Sequence, residues 1–398
     1  MKQRRIVVVG NGIAGLTACD TLRTAGFDGE LTVVGAEPHQ PYSRPALSKA
    51  LLHGGDTLSA HELPAPTHGA TELLGETAAG LDVRARVLRL GGGGELPYDG
   101  LVIASGSRAR RLTANDGGAG QELTLRTFED AVRLKQLTAG RPSVIVVGGG
   151  PLGTEVASGC LSAGCEVTLV SDGQPLSRQL GGYLADLFVS AAARQGLRMV
   201  HGGRAELVTS GSGPRVLLAD GTVLEADLVV TAVGDLPNTE WLAGSGLLTG
   251  GALRVDSRGR VDSRGRVRPE IVAAGDVAGF PTGRGLARVP LWTSAIDQAK
   301  VAAAGLLRGQ EAAELKFQPY FWTEAFGLSL KSVGFTPVSG APDYTGQGSD
   351  EDSQLMWWAN PAGAGTAVSV NYRIPVPRLR RLANQGPAAL GPPVPSQP

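Results

Sequence analysis

The chain has 398 residues, and its 37 basic and 37 acidic side chains cancel to a formal net charge of zero. That length exceeds one ordinary domain, so two or three domains with separate cores are expected, and the charge balance removes any global electrostatic drive toward nucleic acid or an anionic membrane. The three cysteines, Cys19, Cys160 and Cys165, form no CxxC pair; this argues against a disulfide framework or a metal site and for a reducing, cytoplasmic setting.

The basic start Met1–Arg5 is followed by only four apolar residues, Ile6–Val9, too few for a signal peptide. No apolar run approaches the ~18 residues of a membrane span. Ile6–Val9 reads instead as a strand, Ile13–Ala25 as a helix and Leu31–Val34 as a second strand. Gly10-Asn11-Gly12-Ile13-Ala14-Gly15 joins the first two. In such a turn the first glycine permits the sharp reversal, the second lets backbone N–H groups approach a pyrophosphate, and the third lets helix and strand pack closely. Glu37 follows the second strand, where a carboxylate accepts from the hydroxyls of an adenosine ribose.

A second unit repeats the pattern with strand Ser143–Val147, turn Gly148-Gly149-Gly150-Pro151-Leu152-Gly153, helix Leu152–Ala163 and strand Glu166–Val170. Its second strand ends in Ser171-Asp172. Asp172 suits the ribose hydroxyls of NADH, while Ser171 with Arg178 suits the extra phosphate of NADPH; the residues leave both open, with a lean to NADH. Leu101–Ala104, Leu228–Ala232 and Ile271–Ala274 read as short buried parallel strands. If the last of these joins the first sheet, the first domain is discontinuous and the second is inserted in it. Arg254-Val255-Asp256-Ser257-Arg258-Gly259 recurs as residues 260–265, which predicts a lengthened surface loop. The Pro/Gly/Ala-rich end, 383–398, predicts a disordered tail.

Several segments in this order resemble the FAD-dependent pyridine nucleotide reductases of the ferredoxin and rubredoxin reductase type. These form the branch of the pyridine nucleotide-disulfide oxidoreductase superfamily that includes putidaredoxin reductase-like and dioxygenase-reductase proteins, with apoptosis-inducing factor as a more distant relative. The resemblance runs over roughly residues 4 to 382 and rests on the two turns together with Pro41–Lys49, Tyr98–Arg108, Ala232–Thr239, Ala273–Val277 and Tyr320–Glu324. It implies an α/β fold of two Rossmann-like, glutathione reductase-like dinucleotide-binding domains plus a smaller α+β C-terminal domain. The expected division is 1–112 with 250–315 for FAD, 113–249 for NAD(P)H and 316–382 for the C-terminal domain.

The resemblance also implies roles. FAD would be held by Gly10, Gly12, Ile13, Ala14, Gly15 and Glu37, by Arg44 and Lys49 along the flavin, by backbone at Ala78, Ala104, Ser105 and Gly106, by Asp276 on the ribityl chain and by Trp292 beside the ring. Asp276, read as following a strand and preceding a helix, would also serve as a helix N-cap. NADH or NADPH would be held by Gly148, Gly150, Leu152, Gly153, Ser171, Asp172, Arg178 and Gly234. Lys49, paired with Glu155, and Trp322 at the electron exit would be the catalytic groups. The sequence departs from the pattern at Pro290-Leu291, where Glu-His usually precedes the tryptophan, and at Ser105, where threonine is usual.

A disulfide reductase of this architecture needs a cysteine pair beside the flavin, and a flavin peroxidase or NADH oxidase of the related kind needs a cysteine near position 42; neither is present. The expected activity is therefore hydride transfer from NAD(P)H to FAD, then release of single electrons to a [2Fe–2S] ferredoxin or rubredoxin-like carrier that feeds an oxygenase. Such carriers are commonly acidic, and Lys316, Lys331, Arg378, Arg380 and Arg381 are candidate docking charges. The expected state is a monomer or weak homodimer. The alternatives are a flavoprotein reducing a small molecule or oxygen directly and a non-enzymatic, nucleotide-responsive FAD protein.

Overall fold

The computed structural model describes residues 4–53, 57–113, 122–210, 213–348, 350, 352–360 and 363–390. The chain divides into two compact units: the first is 1–43, 58–108 and 236–317, and the second is 44–57, 109–235 and 318–398. The first unit thus takes up the chain at Leu236, earlier than the expected 250, and the C-terminal segment groups with the second.

In the first unit, short β-branched runs make a six-stranded sheet in the order Arg260–Ser263, Arg266–Ala273, Gly100–Ile103, Arg5–Val9, Glu30–Gly35, Thr71–Leu74. All neighbours are parallel except the first pair. A parallel strand is buried on both faces, so it needs a continuous apolar run. Ile6 and Val8 accordingly pack on one side with Ala18, Cys19, Leu22, Ala299 and Ala302, from helices Ile13–Thr24 and Trp292–Arg308. Val7 and Val9 pack on the other with Tyr98, Leu101, Trp241 and Phe280. Each fully buried Val or Ile contributes roughly 1.5–3 kcal/mol. Ile271–Ala273 pairs with Leu101–Ile103, so a strand more than 200 residues downstream completes the sheet begun at Arg5.

The duplicated hexapeptide is not the surface loop that its charge predicts. Its second copy is the edge strand Arg260–Ser263, antiparallel to Arg266–Ala273, and Val255 and Val261, which bridge each other, are 3% and 0% exposed. Two of its four arginines are absorbed as well: Arg260 is buried on Asp256 at 2.6 Å and Arg258 pairs with Glu314 at 2.8 Å, while Arg254 and Arg264 are exposed. One apolar residue in six gives no periodic signal, yet each copy sends its valine into the core and closes on a glycine.

In the second unit, a parallel five-stranded sheet has the order Arg198–His201, Glu166–Ser171, Ser143–Val147, Leu228–Thr231, Glu122–Leu123. The same unit holds an antiparallel five-stranded sheet in the order Tyr320–Ala325, Leu328–Val333, Gly363–Val370, Gln354–Asn360, Tyr344–Gln347. Helix Val376–Gln385 joins the core of this sheet through Leu379, Leu382 and Ala383. The expected tail from 383 therefore begins inside a helix, because that helix needs Leu382 and Ala383 to complete its apolar stripe; residues 391–398 lie outside the described residues. No helix among the described residues is long and apolar enough to cross a membrane.

The repeat provides a matched pair of glycines. Gly265 has φ +79° with nothing near a would-be Cβ, whereas Gly259 has φ +74° and its Cβ would lie 2.6 Å from that of Ala302. Gly265→Ala should cost about 1–2 kcal/mol from the left-handed backbone alone, and Gly259→Ala distinctly more, since the Trp292–Arg308 helix must move. Denaturant melts of the two variants check this, and equal losses would contradict the packing assigned to the repeat.

Candidate functional site

The first glycine turn is built so that its amides are available. Gly10 has φ +113° and a Cβ there would run into the Ala104 carbonyl, while one on Gly15 would run into the Gly10 carbonyl; both positions are closed to side chains by backbone. Gly12 differs, because its Cβ would meet nothing within 4 Å. It is the N-cap of helix Ile13–Thr24, with no side-chain cap and no acidic residue in the first turn. The opening N–H groups of a helix need acceptors, and an anion such as a pyrophosphate supplies them. Both polar atoms of the Asn11 amide are also buried without a hydrogen-bond partner. These features fit a bound dinucleotide. Ile13 and Ala14 form the first turn of the helix.

Around the turn, Glu37 follows strand Glu30–Gly35, and the Tyr42 phenol donates to its Oε2 at 2.6 Å, which fixes the carboxylate. Tyr42 lies in the Pro41–Lys49 motif, but sequence reasoning gave it no role. Ala104 is buried at the end of strand Gly100–Ile103. The next residues are locked by Asn238: Ser105 Oγ donates to its carbonyl at 2.8 Å, its Nδ2 donates to the Ser105 carbonyl at 2.9 Å, and its N–H donates to Gly106 at 3.0 Å. The retained hydroxyl of Ser105 is thus a backbone fastener. Ala78 opens strand Ala78–Asp82.

Asp276 accepts from Ser107 Oγ at 3.2 Å, and its carbonyl accepts from Arg288 Nε at 2.7 Å. It caps no helix. Strands Ala278–Thr282 and Gly285–Ala287 follow it, and the next helix starts only at Trp292. Gly275, at φ +80°, would place a Cβ 3.0 Å from that of Ala14, so the Asp276 loop crosses close to the first turn's helix. Trp292 is the first residue of its helix and half-buried; Leu291, the N-cap, provides no side-chain cap.

The second turn has the same construction in the second unit. Gly148 (φ +121°) would collide with the Ala232 carbonyl and Gly153 with the Gly148 carbonyl. Gly150 caps helix Pro151–Ser162 without a side-chain bond, and only the Gln179 amide, at 3.7 Å, approaches its would-be Cβ. Leu152 lies in the first turn of this helix, and Gly234 (φ +101°) has open space where a side chain would be. At the strand end, Ser171 is buried and its hydroxyl donates to the Gly173 carbonyl at 2.6 Å, with His201 Nδ1 3.4 Å away. Arg178 is bound to Asp172 at 2.8 Å, both largely exposed. The two residues read as alternatives for NADH and NADPH therefore neutralise each other.

Glu155 is buried, at 4% exposed, in the second turn of the Pro151–Ser162 helix. Lys49 Nζ lies 2.8 Å from its Oε1, Thr323 Oγ1 donates to the same oxygen at 2.7 Å, and Ser48 Oγ donates to Oε2. Ser48 and Thr323 escaped sequence reasoning, since bonds spanning 107 and 168 residues leave no local pattern. A carboxylate taken out of water is tolerated only when paired and hydrogen-bonded, and removing one partner of such a pair costs about 3–5 kcal/mol. Lys49 Nζ also lies 5.8 Å from the centre of the Trp322 ring, on which Tyr320 stacks at 5.7 Å. Arg44 belongs to the same unit and donates through Nη1 to the Arg126 carbonyl at 2.8 Å.

All three thiols are free and buried. Burial pushes Cys19 and Cys160 up to about 12 and also raises Cys165, so they stay protonated at neutral pH and are not nucleophiles. No group of three or more His, Cys, Asp or Glu residues among the described residues has a metal-holding arrangement.

Two outcomes follow from this geometry. Gly12→Val should fold, by far-UV circular dichroism, yet retain little FAD, because its side chain fills the open cradle without striking protein; a Gly12→Val protein with full flavin content would contradict the assignment. The native protein should react with a thiol reagent at pH 8 only as fast as it unfolds, and rapid modification of any cysteine would contradict the buried assignment.

Comparison with known proteins agrees with this architecture. Residues 4–303 match the family model described as pyridine nucleotide-disulphide oxidoreductase. The ferredoxin–NAD(+) reductase component of the p-cumate 2,3-dioxygenase system of Pseudomonas putida is 35% identical over 338 residues, covering 83% of this chain and 81% of that protein. Among solved structures, the ferredoxin reductase for the CYP199A2 system from Rhodopseudomonas palustris superposes with a TM-score of 0.82 at 30% identity, covering 92% of this chain and 91% of the other. The covalent putidaredoxin reductase–putidaredoxin complex gives 0.81 at 26% identity, covering 92% and 90%. With both glycine turns in place and relatives of this kind along most of its length, the chain belongs to the pyridine nucleotide-disulphide oxidoreductase family.

Proposed function

We propose that this chain is an FAD-dependent NADH:ferredoxin reductase that passes electrons one at a time to a small acidic [2Fe–2S] protein serving an oxygenase. The observation that carries the reading is the presence of two separate, uncapped glycine turns in a chain whose three thiols are all buried. Two dinucleotides can be held, and no cysteine is available to relay electrons. Bound FAD supplies a ring that takes up a hydride and returns its electrons singly.

The chain's own residues bind and orient. The first turn with Glu37, Ala78, Ala104, Ser105, Gly106, Asp276 and Trp292 is assigned to FAD, and the second turn with Gly234 to the nicotinamide coenzyme. Arg44 and Lys49 are assigned to the flavin ring, Glu155 with Lys49 to the hydride step, and Trp322 to electron exit. NADH is favoured over NADPH on two grounds: a ribose phosphate would have to take Arg178 from its ion pair with Asp172, and the Ser171 hydroxyl donates to Gly173.

For the partner, Lys331 lies directly across the strand pair from Trp322. Arg378 and Arg381 are exposed on the Val376–Gln385 helix, and Arg380 is close enough to oppose the burial that raises the Tyr320 phenol. Lys331 and Arg380 beside the aromatic pair, with Glu324 as the opposing charge, support docking of an acidic carrier through these two cations. Lys316 is exposed in the first unit.

Anaerobic stopped-flow experiments test the proposal. NADH should reduce the bound flavin with a kcat/KM about tenfold or more above that for NADPH, equivalent to about 1.4 kcal/mol. Asp172→Ala should narrow that ratio. Reoxidation should be fast with an acidic [2Fe–2S] ferredoxin and slow with oxygen. Rapid turnover with oxygen or a quinone alone would make the chain a direct reductase, and a slowly reduced, long-lived charge-transfer complex would make it a nucleotide-responsive binding protein.

A further inference from the structure

We infer that Thr323 and Ser48 are positioning residues for the hydride step, acting through Glu155 on Lys49; the inference rests on the reading of Lys49 and Glu155 given above. An ionised carboxylate only accepts hydrogen bonds, and two oxygens offer about four lone-pair sites. Here the two oxygens are treated unequally. Oε1 takes Lys49 Nζ and Thr323 Oγ1 together, at 2.8 and 2.7 Å, and Oε2 takes Ser48 Oγ. Lys49 alone would leave the carboxyl free to rotate about its terminal bond, a broad and weakly restrained torsion. With a hydroxyl on each oxygen the plane of the carboxylate is set, and the ammonium has one place to bind.

Burial makes these hydroxyls consequential. Thr323 is 0% exposed and Ser48 5% exposed, so no bulk water can replace either donor once it is removed. The three donors come from two separate parts of the second unit: the Arg44–Ser48 turn with the lysine after it, and strand Tyr320–Ala325. Thr323 directly follows Trp322, and Lys49 Nζ lies 5.8 Å from the Trp322 ring. The strand that presents the indole therefore also fixes the carboxylate that fixes the ammonium. A displacement of the charge by 1 Å is enough to change a transfer rate by orders of magnitude.

Threonine permits a clean separation of shape from hydrogen bonding. Thr323→Val keeps the volume and removes the donor, whereas Thr323→Ser loses a methyl and keeps the donor. If Thr323 only fills space, serine is the worse replacement; if it positions Glu155, valine is. Ser48→Ala removes the donor on the other oxygen and gives a second arm should Thr323→Val fail to fold.

The experiment uses the full-length, flavin-loaded chain. Single-turnover reduction by NADH is followed over a range of NADH concentrations, and the midpoint potential of the bound flavin is measured without NADH. Thr323→Val is expected to lower the limiting reduction rate roughly tenfold, with half-saturation changed by no more than about twofold. It should also shift the flavin potential negative. Thr323→Ser should restore the rate to within about twofold, and Ser48→Ala should also slow reduction. In a Glu155→Gln background, Thr323→Val should add less than about twofold, as expected for two residues acting as one unit. The inference is overturned if Thr323→Val matches the wild type, if Thr323→Ser is as slow as Thr323→Val, or if the full effect persists with Glu155→Gln. If the wild type itself takes up no FAD or is not reduced by NADH, the reductase reading fails and this inference fails with it; rapid wild-type reduction with unchanged variants removes only the positioning role.

Discussion

A carboxylate removed from water must be surrounded by donors, and that requirement on Glu155 ties together distant parts of the second unit. The residue stands on the helix that begins at the second glycine turn, where a glutamate is otherwise most simply a solvated surface charge. Because it is buried, an ammonium and two hydroxyls must converge on it from sequence positions more than a hundred residues away. The turn carrying Ser48 and Lys49, the helix carrying Glu155 and the strand carrying Trp322 and Thr323 are tied at one point.

The two glycine turns obey a different constraint, one of backbone on backbone. In each, the first glycine lies against a carbonyl at the end of a neighbouring strand, Ala104 or Ala232, and the third lies against the carbonyl of the first. The two turns share the same glycine contacts, and they differ in what surrounds them. Around the first are a carboxylate fixed by Tyr42, the Asn238 fastener on Ser105 and Gly106, and the Asp276 loop. Around the second are a Gly173-bound Ser171 and a mutually neutralised Asp172–Arg178 pair.

Much of this was readable in the sequence because the signals are local. Strand, glycine spacing and helix follow one another within 25 residues, and a continuous apolar run announces a parallel strand buried on both faces. What was not readable involves distant partners or one isolated apolar residue. The hexapeptide looked like a charged loop, yet Val255 and Val261 enter the core and Arg260 of the second copy is neutralised by Asp256 of the first. Asp276 looked like a cap because a strand preceded it, but a hairpin rather than a helix comes next. The chain beyond Leu382 looked like a tail because its Pro and Gly content hid the last turn of a helix that buries Ala383. Thr323 and Ser48 lay inside recognised motifs, and their bonds to Glu155 depend on a helix that local pattern cannot place beside them.

The central claim is that one chain holds a flavin at its first turn and receives hydride from a nicotinamide held at its second. Its most direct measurement is the visible absorption spectrum of the purified protein during anaerobic titration with NADH. The account predicts about one FAD per chain, released on denaturation, with the flavin band bleached by about one equivalent of NADH. A colourless protein that takes up no added FAD, or a flavin band that NADH leaves unchanged, would contradict it.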